Sequence, residues 1–400
     1  MTSVPVSTRV EGVVAGPSRF LVIPLVAVLF LGGGYLMHAE SQWQIAGILA
    51  LFTMAFVASE HTTIGRDIFK LVQRHGSLAN CVALVCCLLL VWYFRREHYT
   101  LLMTATVAIY GMAAIGLTIQ MAFAGVPNFA GAAFFVVGSY TAAICSAASV
   151  PSVVALLAGG AAAAILGGLL LLPVLRTKGH YAALVTISFG ILLRTFLEVN
   201  DVLGGPQGMK IMSFRIFGVD FSRVKSIMGT PVSFYVPYVL LAIFLFALLF
   251  ALCRRLEKSW IGVALDAVRC DETSASVFGI SPARWKITAF CLGNAIIGLA
   301  GALYGMMNGF VNPNGAGLGD SLILLSIIIL GGMGNIWGAV LASIIILVIP
   351  EKLQAIQEYR LLIFAVLVIA ILRFRPSGLL GRQIRLFRNE AMPGGERHGA

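Results

Sequence analysis

The chain has 400 residues, 59% of them hydrophobic and only 11% charged, with a mean hydropathy of +0.94. Soluble domains carry about 25% charged residues, so a water-soluble fold is excluded and a polytopic membrane protein is expected. The net charge of +11 does not point to nucleic acid, because Lys and Arg collect at the ends of apolar runs and in the C-terminal tail, as positive-inside loops do.

Residues 1–19 read as a cytoplasmic tail, with Arg9 and Arg19 among Pro, Ser and Val. Apolar runs at Phe20–Met37 and Trp43–Ser59 predict two spans. The first is read as an uncleaved helix rather than a signal peptide, since more spans follow. Arg66, Lys70 and Arg74 mark a cytoplasmic loop, and Leu78–Phe94 is the third span. Residues 20–94 thus form an additional N-terminal set of helices. The following loop, Arg95-Arg96-Glu97-His98, falls outside against the charge rule; every other loop outvotes it.

Leu101–Ala122 and Phe129–Ser149 flank an uncharged break at residues 124–128, Ala-Gly-Val-Pro-Asn. Val153–Leu175 ends on Arg176 and Lys178, on the cytoplasmic side. Tyr181–Leu197 leads to an external loop at 198–232, and Phe234–Cys253 returns to the cytoplasm at Arg254-Arg255.

The stretch 254–286 carries six Lys/Arg and four Asp/Glu in a chain otherwise poor in charge. Ile261, Val263, Ala264, Ala267 and Val268 recur at helical spacing, with Asp266, Arg269 and Asp271 interleaved. Gly279 is a helix stop, and Ser281-Pro282 reads as the N-cap and first turn of the next span. The stretch is either a folded cytoplasmic element for a soluble partner or a solvated connector.

Trp285–Asn308 crosses outward, and residues 310–319 form a turn-rich connection. Residues 321–350 hold two apolar pieces around Gly331-Gly332-Met333-Gly334-Asn335. The first piece, 321–331, reaches roughly 16 Å at 1.5 Å per residue, about half of a ~30 Å hydrocarbon core. A broken or re-entrant hairpin is expected, with two full spans as the alternative. A last span at 358–374 ends among Arg373, Arg375, Arg382, Arg385 and Arg388. The expected fold is therefore all-α and polytopic: about ten transmembrane helices, a glycine-rich hairpin, both termini cytoplasmic, and a basic tail at 382–400.

No GxxxxGK[ST] motif is present, so ATP is not bound through a P-loop. No nucleophile–base pair, intramembrane carboxylate pair, HExxH or CxxC occurs. An enzyme and a metal site are therefore not expected. Glycines repeat every fourth residue at Gly301, Gly305 and Gly309, and again at Gly334 and Gly338. Such faces let helix backbones approach, within the chain or between subunits. Polar residues at membrane depth are costly unless paired or wetted. Asn128 beside Gly125 and Pro127 in the break is a candidate for the substrate path, as are Asn294, Asn308 and Asn335. Each is equally readable as an interhelical hydrogen bond. Arg194 and Glu198 are spaced for an i,i+4 ion pair.

Several segments, in order, resemble the permeases of high-affinity branched-chain amino-acid ABC transporters, in particular their M-type subunit. These are AFAGVPNFAGAAFFVVGSYTAAI (122–144), GHYAALVTISFGILLRTFLEVNDVLGGPQGM (179–209), the run 262–305, ILGGMGNIWGAVLASIIILVIPEKL (329–353) and FRPSGLLG (374–381). The resemblance covers about residues 101–382 and implies a permease domain over 101–381. It implies that 254–286 is a loop coupling transport to separate ATPases, with Asp271, Glu272 and Gly279 retained from the motif. The double alanine of that motif is missing, and Asn128-Phe129-Ala130-Gly131 stands where many members have Ser-Leu-Gly-His. The implied partners are a second permease, two ATP-binding cassette subunits that hold Mg-ATP, a periplasmic binding protein and the bacterial inner membrane; no cofactor is bound by this chain. Related permeases carry urea or short amides. A stand-alone secondary transporter is the competing class.

Overall fold

The computed structural model describes residues 76–352, apart from 177–180, 217–218, 222–224 and 228–229, with isolated positions beyond that stretch. The expected spans at 20–37, 43–59 and 358–374, and both tails, lie outside the described residues save for residues 32–34 and scattered single positions.

In chain order the helices are α1 (Gly76–Tyr93), α2 (His98–Leu117), α3 (Gly131–Ala147), α4 (Ser152–Arg176), α5 (Tyr181–Val199), α6 (Val236–Lys258), α7 (Trp260–Cys270), α8 (Glu272–Val277), α9 (Pro282–Asn308), α10 (Leu318–Gly331) and α11 (Ile336–Lys352). α2 continues without a gap into a π-helical turn, Thr118–Phe123. Helix is what an apolar run must adopt in lipid, where backbone groups find partners only within the segment. Among the described residues five helices are long and apolar enough to cross a bilayer: His98–Phe123, Ser152–Leu175, Tyr181–Val199, Val236–Lys258 and Pro282–Asn308. The run expected at 129–149 is a shorter helix, because the chain stays irregular through Ala130. α10 begins three residues before the expected Ser321, and α10 and α11 are separated at residues 332–335.

The described residues group into two compact units. One comprises the described parts of Met1–Ile109, Ser213–Leu248 and Leu347–Glu358. In it Ser233 ties a loop to the start of α2: its N–H donates to the Arg95 carbonyl at 3.0 Å, and its Oγ lies 2.7 Å from His98 Nδ1. Phe214 N–H donates to the Tyr238 hydroxyl at 2.9 Å, beside the Phe214–Phe221 and Phe221–Tyr238 ring pairs.

The other unit comprises the described parts of Tyr110–Met212, Leu249–Ile346 and Tyr359–Ala400. Its centre is α9, packed on α3 and α4. Small residues make this packing close. A Cβ added to Gly293 would lie 2.5 Å from the Gly116 carbonyl oxygen, and one on Gly298 would lie 2.6 Å from that of Gly159. Ser139 Oγ donates to the Gly301 carbonyl at 2.6 Å, closing α3 onto α9. The short strands Met209–Lys210 and Phe310–Val311 pair antiparallel, Met209 with Val311 and Lys210 with Phe310.

Candidate functional site

The end of α2 sets up the site. A Leu117-Thr118-Ile119 run leads into Gln120, the one carboxamide between residues 101 and 122. The π-helical turn ends with Ala124 N–H donating to Ile119 O at 3.2 Å and Val126 N–H to Gln120 O at 2.9 Å. Gly125 then takes φ +68°, a region a side chain with Cβ enters only at a cost. Pro127 follows, half-buried, and its fixed φ and missing N–H keep the break from rewinding.

The break delivers Asn128 into the interior, 1% exposed. Gln120 and Asn294 are both 0% exposed. Asn128 Nδ2 donates to Gln120 Oε1 at 2.7 Å and to Asn294 Oδ1 at 3.3 Å. Asn128 Oδ1 accepts from Ala130 N–H at 2.9 Å, which starts α3. Gln120 Nε2 donates to the Phe290 carbonyl of α9 at 3.1 Å. Three carboxamides from α2, the break and α9 thus form one cluster in an apolar surround. One donor is left over: Asn294 Nδ2 is buried with no hydrogen-bond partner. It sits over Gly167 of α4, where any side chain would collide with it. Such an orphan donor costs roughly 1–3 kcal/mol.

Thr186 and Ser321 satisfy the broken backbone around the cluster. Thr186 Oγ1 accepts from Phe129 N–H at 3.2 Å, and Ser321 Oγ accepts from Ala132 N–H at 3.2 Å. Neither hydroxyl was expected at the site from sequence, and neither was Gln120. Gln120 had a local signal, a lone amide inside an apolar span. The two hydroxyls had none, because Ser and Thr commonly bond their own helix.

The other candidates lie elsewhere. Asn308 is exposed at the last position of α9, about 21 Å along the axis from Asn294 at 1.5 Å per residue. Asn335 Oδ1 accepts from Trp337 N–H at 3.1 Å and starts α11. Arg194 Nε donates to Glu198 Oε1 at 2.8 Å, and Arg194 Nη2 to Asn314 Oδ1 at 3.1 Å.

The glycines divide by role. Gly301 lies against the Phe135 backbone, and Gly305 against Ser139 and Ile211. Gly309 instead closes α9 at φ +71°, with the Ile211 carbonyl oxygen 3.8 Å from a built Cβ. Gly334 is in the turn after α10 at φ +98°, whereas Gly338 packs directly on Gly331.

The polar stretch 254–286 is folded. α7 buries Gly262, Ala264, Leu265 and Val268. Asp271 caps α8: its Oδ1 accepts from Thr273 N–H at 2.8 Å and Ser274 N–H at 3.2 Å, and its Oδ2 from the Ser274 hydroxyl at 2.7 Å. The Ser274 hydroxyl first, then these backbone N–H groups, hold the Asp271 carboxyl below its usual range. Glu272 pairs with Lys286 at the start of α9. Gly279 takes φ +79°. Beside it Val277 and Phe278 are 80% and 84% exposed. Arg269 of α7 reaches the break, its Nη1 donating to the Ala122 carbonyl at 2.7 Å. Among the described residues no group of His, Cys, Asp or Glu is arranged to hold a metal ion.

Residues 99–372 match the family described as branched-chain amino acid transport system / permease component. The chain is similar to the high-affinity branched-chain amino acid transport system permease protein LivM of Escherichia coli strain K12, 32% identical over 308 residues, 73% of this chain and 72% of that protein. It is 30% identical over 304 residues to LivM of Salmonella typhimurium strain LT2, 72% of each chain. It is 28% identical over 285 residues to the permease protein BraD of Pseudomonas aeruginosa, 68% of this chain and 92% of that one. No solved structure matches.

Proposed function

The chain belongs to the family of permease components of branched-chain amino acid transport systems, and on that premise we propose that it forms, with a second permease, the inner-membrane path for leucine, isoleucine and valine. It is a membrane-embedded importer subunit. The work of transport enters from two ATP-binding cassette subunits docked on residues 254–286, and substrate arrives from a periplasmic binding protein. The proposed topology has ten spans, the hairpin at 318–352, and both termini in the cytoplasm.

One observation carries the reading: a buried carboxamide cluster, with an unused donor, at a break in an otherwise apolar helix bundle. A branched-chain amino acid is a zwitterion with an apolar side chain. Its path needs apolar walls and a few neutral hydrogen-bonding groups, because a charged lining would hold the substrate rather than release it. Asn128 and Asn294 are such groups, and Gly125 and Pro127 keep the backbone open beside them. Once α4 and α9 part, Asn294 Nδ2 is available to a substrate carboxylate. Asn308, at the outer end of α9, stands on the entry side.

The test is uptake by the transporter reconstituted with its partners. Asn128→Ala should raise the KM for leucine at least several-fold while subunit assembly is unchanged. Unaltered kinetics would remove Asn128 from the path. Urea or a short amide outcompeting leucine would reassign the substrate, and uptake by the isolated chain under an ion gradient would reassign the class.

A further inference from the structure

In an uninterrupted α-helix Val126 N–H would bond the carbonyl four residues back, that of Ala122. Here it bonds Gln120 O at 2.9 Å. The Ala122 carbonyl, in a residue only 1% exposed, is thereby released. A released carbonyl in an apolar setting needs a donor, and Arg269 Nη1 supplies it at 2.7 Å. The approach is close: a Cβ built on Gly125 would lie 3.4 Å from Arg269 Cγ and 3.7 Å from its Cα. α7 therefore runs directly against the break.

The two ends of this link differ in kind. Arg269 is two residues before Asp271, which caps α8 and so belongs to the polar stretch 254–286. Ala122 is two residues after Gln120, whose carboxamide grips Asn128 and the Phe290 carbonyl. A π-helical turn has a spare residue relative to an α-helix and is a natural place for one-residue shifts in hydrogen bonding. We propose that Arg269 is a positioning residue that transmits movement of the α7–α8 segment to the π-helical turn, so that displacing α7 resets the Gln120–Asn128–Asn294 cluster. With Arg269 bonded to Ala122 the turn keeps its present register and the cluster is closed. Withdrawal of Arg269 leaves the Ala122 carbonyl unpaired, which destabilises the present register of the turn, frees the Ala124 and Val126 N–H groups to open and loosens Gln120 from Asn128.

This rests on the reading of 254–286 as the segment on which the ATPases act, and the experiment separates the two. Arg269→Ala and Arg269→Lys are assembled with both ATPases, the second permease and the binding protein in lipid nanodiscs and proteoliposomes. Amide exchange at Ala124 and Val126 is measured without nucleotide, and leucine transported per ATP hydrolysed is measured with it. For Arg269→Ala the exchange should rise at least tenfold and transport per ATP fall at least tenfold, with the KM for uptake and the amount of bound ATPase changed less than twofold. Arg269→Lys, which keeps one donor on a long stem, should recover at least half of the transport per ATP. Unchanged exchange overturns the inference, as does raised exchange with unchanged transport per ATP. Loss that tracks loss of bound ATPase also overturns it. If Asp271→Lys and Glu272→Lys uncouple hydrolysis from uptake but Arg269→Ala does not, the inference alone fails. If those reversals leave transport per ATP unaltered while Arg269→Ala still raises exchange, the docking reading fails and the inference with it.

Discussion

A Cβ placed on Gly301 would collide with the Phe135 carbonyl group, so Gly301→Ala must push α9 away from α3. Overpacking of this kind costs about 1–3 kcal/mol. Gly309→Ala meets no such neighbour, and its penalty is the left-handed backbone at φ +71°, about 1–2 kcal/mol. Thermal unfolding in detergent should register both losses. Only Gly301→Ala should also perturb the Ser139–Gly301 hydrogen bond, seen as faster exchange around it. Equal exchange patterns for the two variants would show that Gly301 is not a packing residue. The four-residue repeat was visible in the chain, but it does not distinguish a glycine that permits contact from one that ends a helix. That distinction lies in φ and in what faces the missing Cβ. Likewise Asn128, Asn294 and Asn308 look alike as polar residues near apolar runs. The first two meet in a hydrogen bond, and the third is exposed at a helix end.

At the scale of elements, α8 depends on its cap. The folded pKa of Asp271 is lowered, so its contribution is fully present above the ordinary carboxylate pKa and is lost as pH falls through the lower folded value. Protection of the Thr273 and Ser274 amides, measured as the ratio of intrinsic to observed exchange at each pH, should therefore be high at neutral pH and fall below the usual carboxylate range. Asp271→Asn, which has only one acceptor oxygen, should flatten that dependence; a pH profile identical to the parent would dismiss the cap as the cause. The hairpin offers a second test. α10 has 14 residues and spans about 21 Å, short of a ~30 Å core. With the seven cysteines replaced, Asn335→Cys should resist a membrane-impermeant thiol reagent from either side. Ready labelling from the cytoplasm would instead mean two full crossings. Sequence placed the break correctly at the glycines, because glycine and polar residues interrupt an apolar run visibly. It missed the extra three residues of α10, since Leu318-Gly319-Asp320 reads as loop by composition. The π-helical turn was likewise illegible: Thr118–Phe123 has no residue that demands it, and the hydrogen bonds at its far end impose it.

For the whole molecule, the expected consequence is division of labour: charge reversal at Asp271 or Glu272, or Gly279→Pro, should uncouple ATP hydrolysis from uptake without loss of membrane insertion. Normal leucine transport by these variants would move the docking site elsewhere. On the proposed docking, the exposed Val277 and Phe278 beside Gly279 would be the apolar foothold for an ATPase. By itself the amino-acid sequence determined that this chain is a multi-pass membrane protein, where its apolar runs fall, and which transporter family it resembles. Those follow from transfer free energies summed along the chain and from motifs kept in order, both properties of neighbours in sequence. Only the tertiary structure decided that Asn128 bonds Asn294 across 166 residues and that Arg269 bonds Ala122 across 147. A hydrogen bond acts over about 3 Å and depends on direction, and which helices come that close is set by how their small residues allow them to pack.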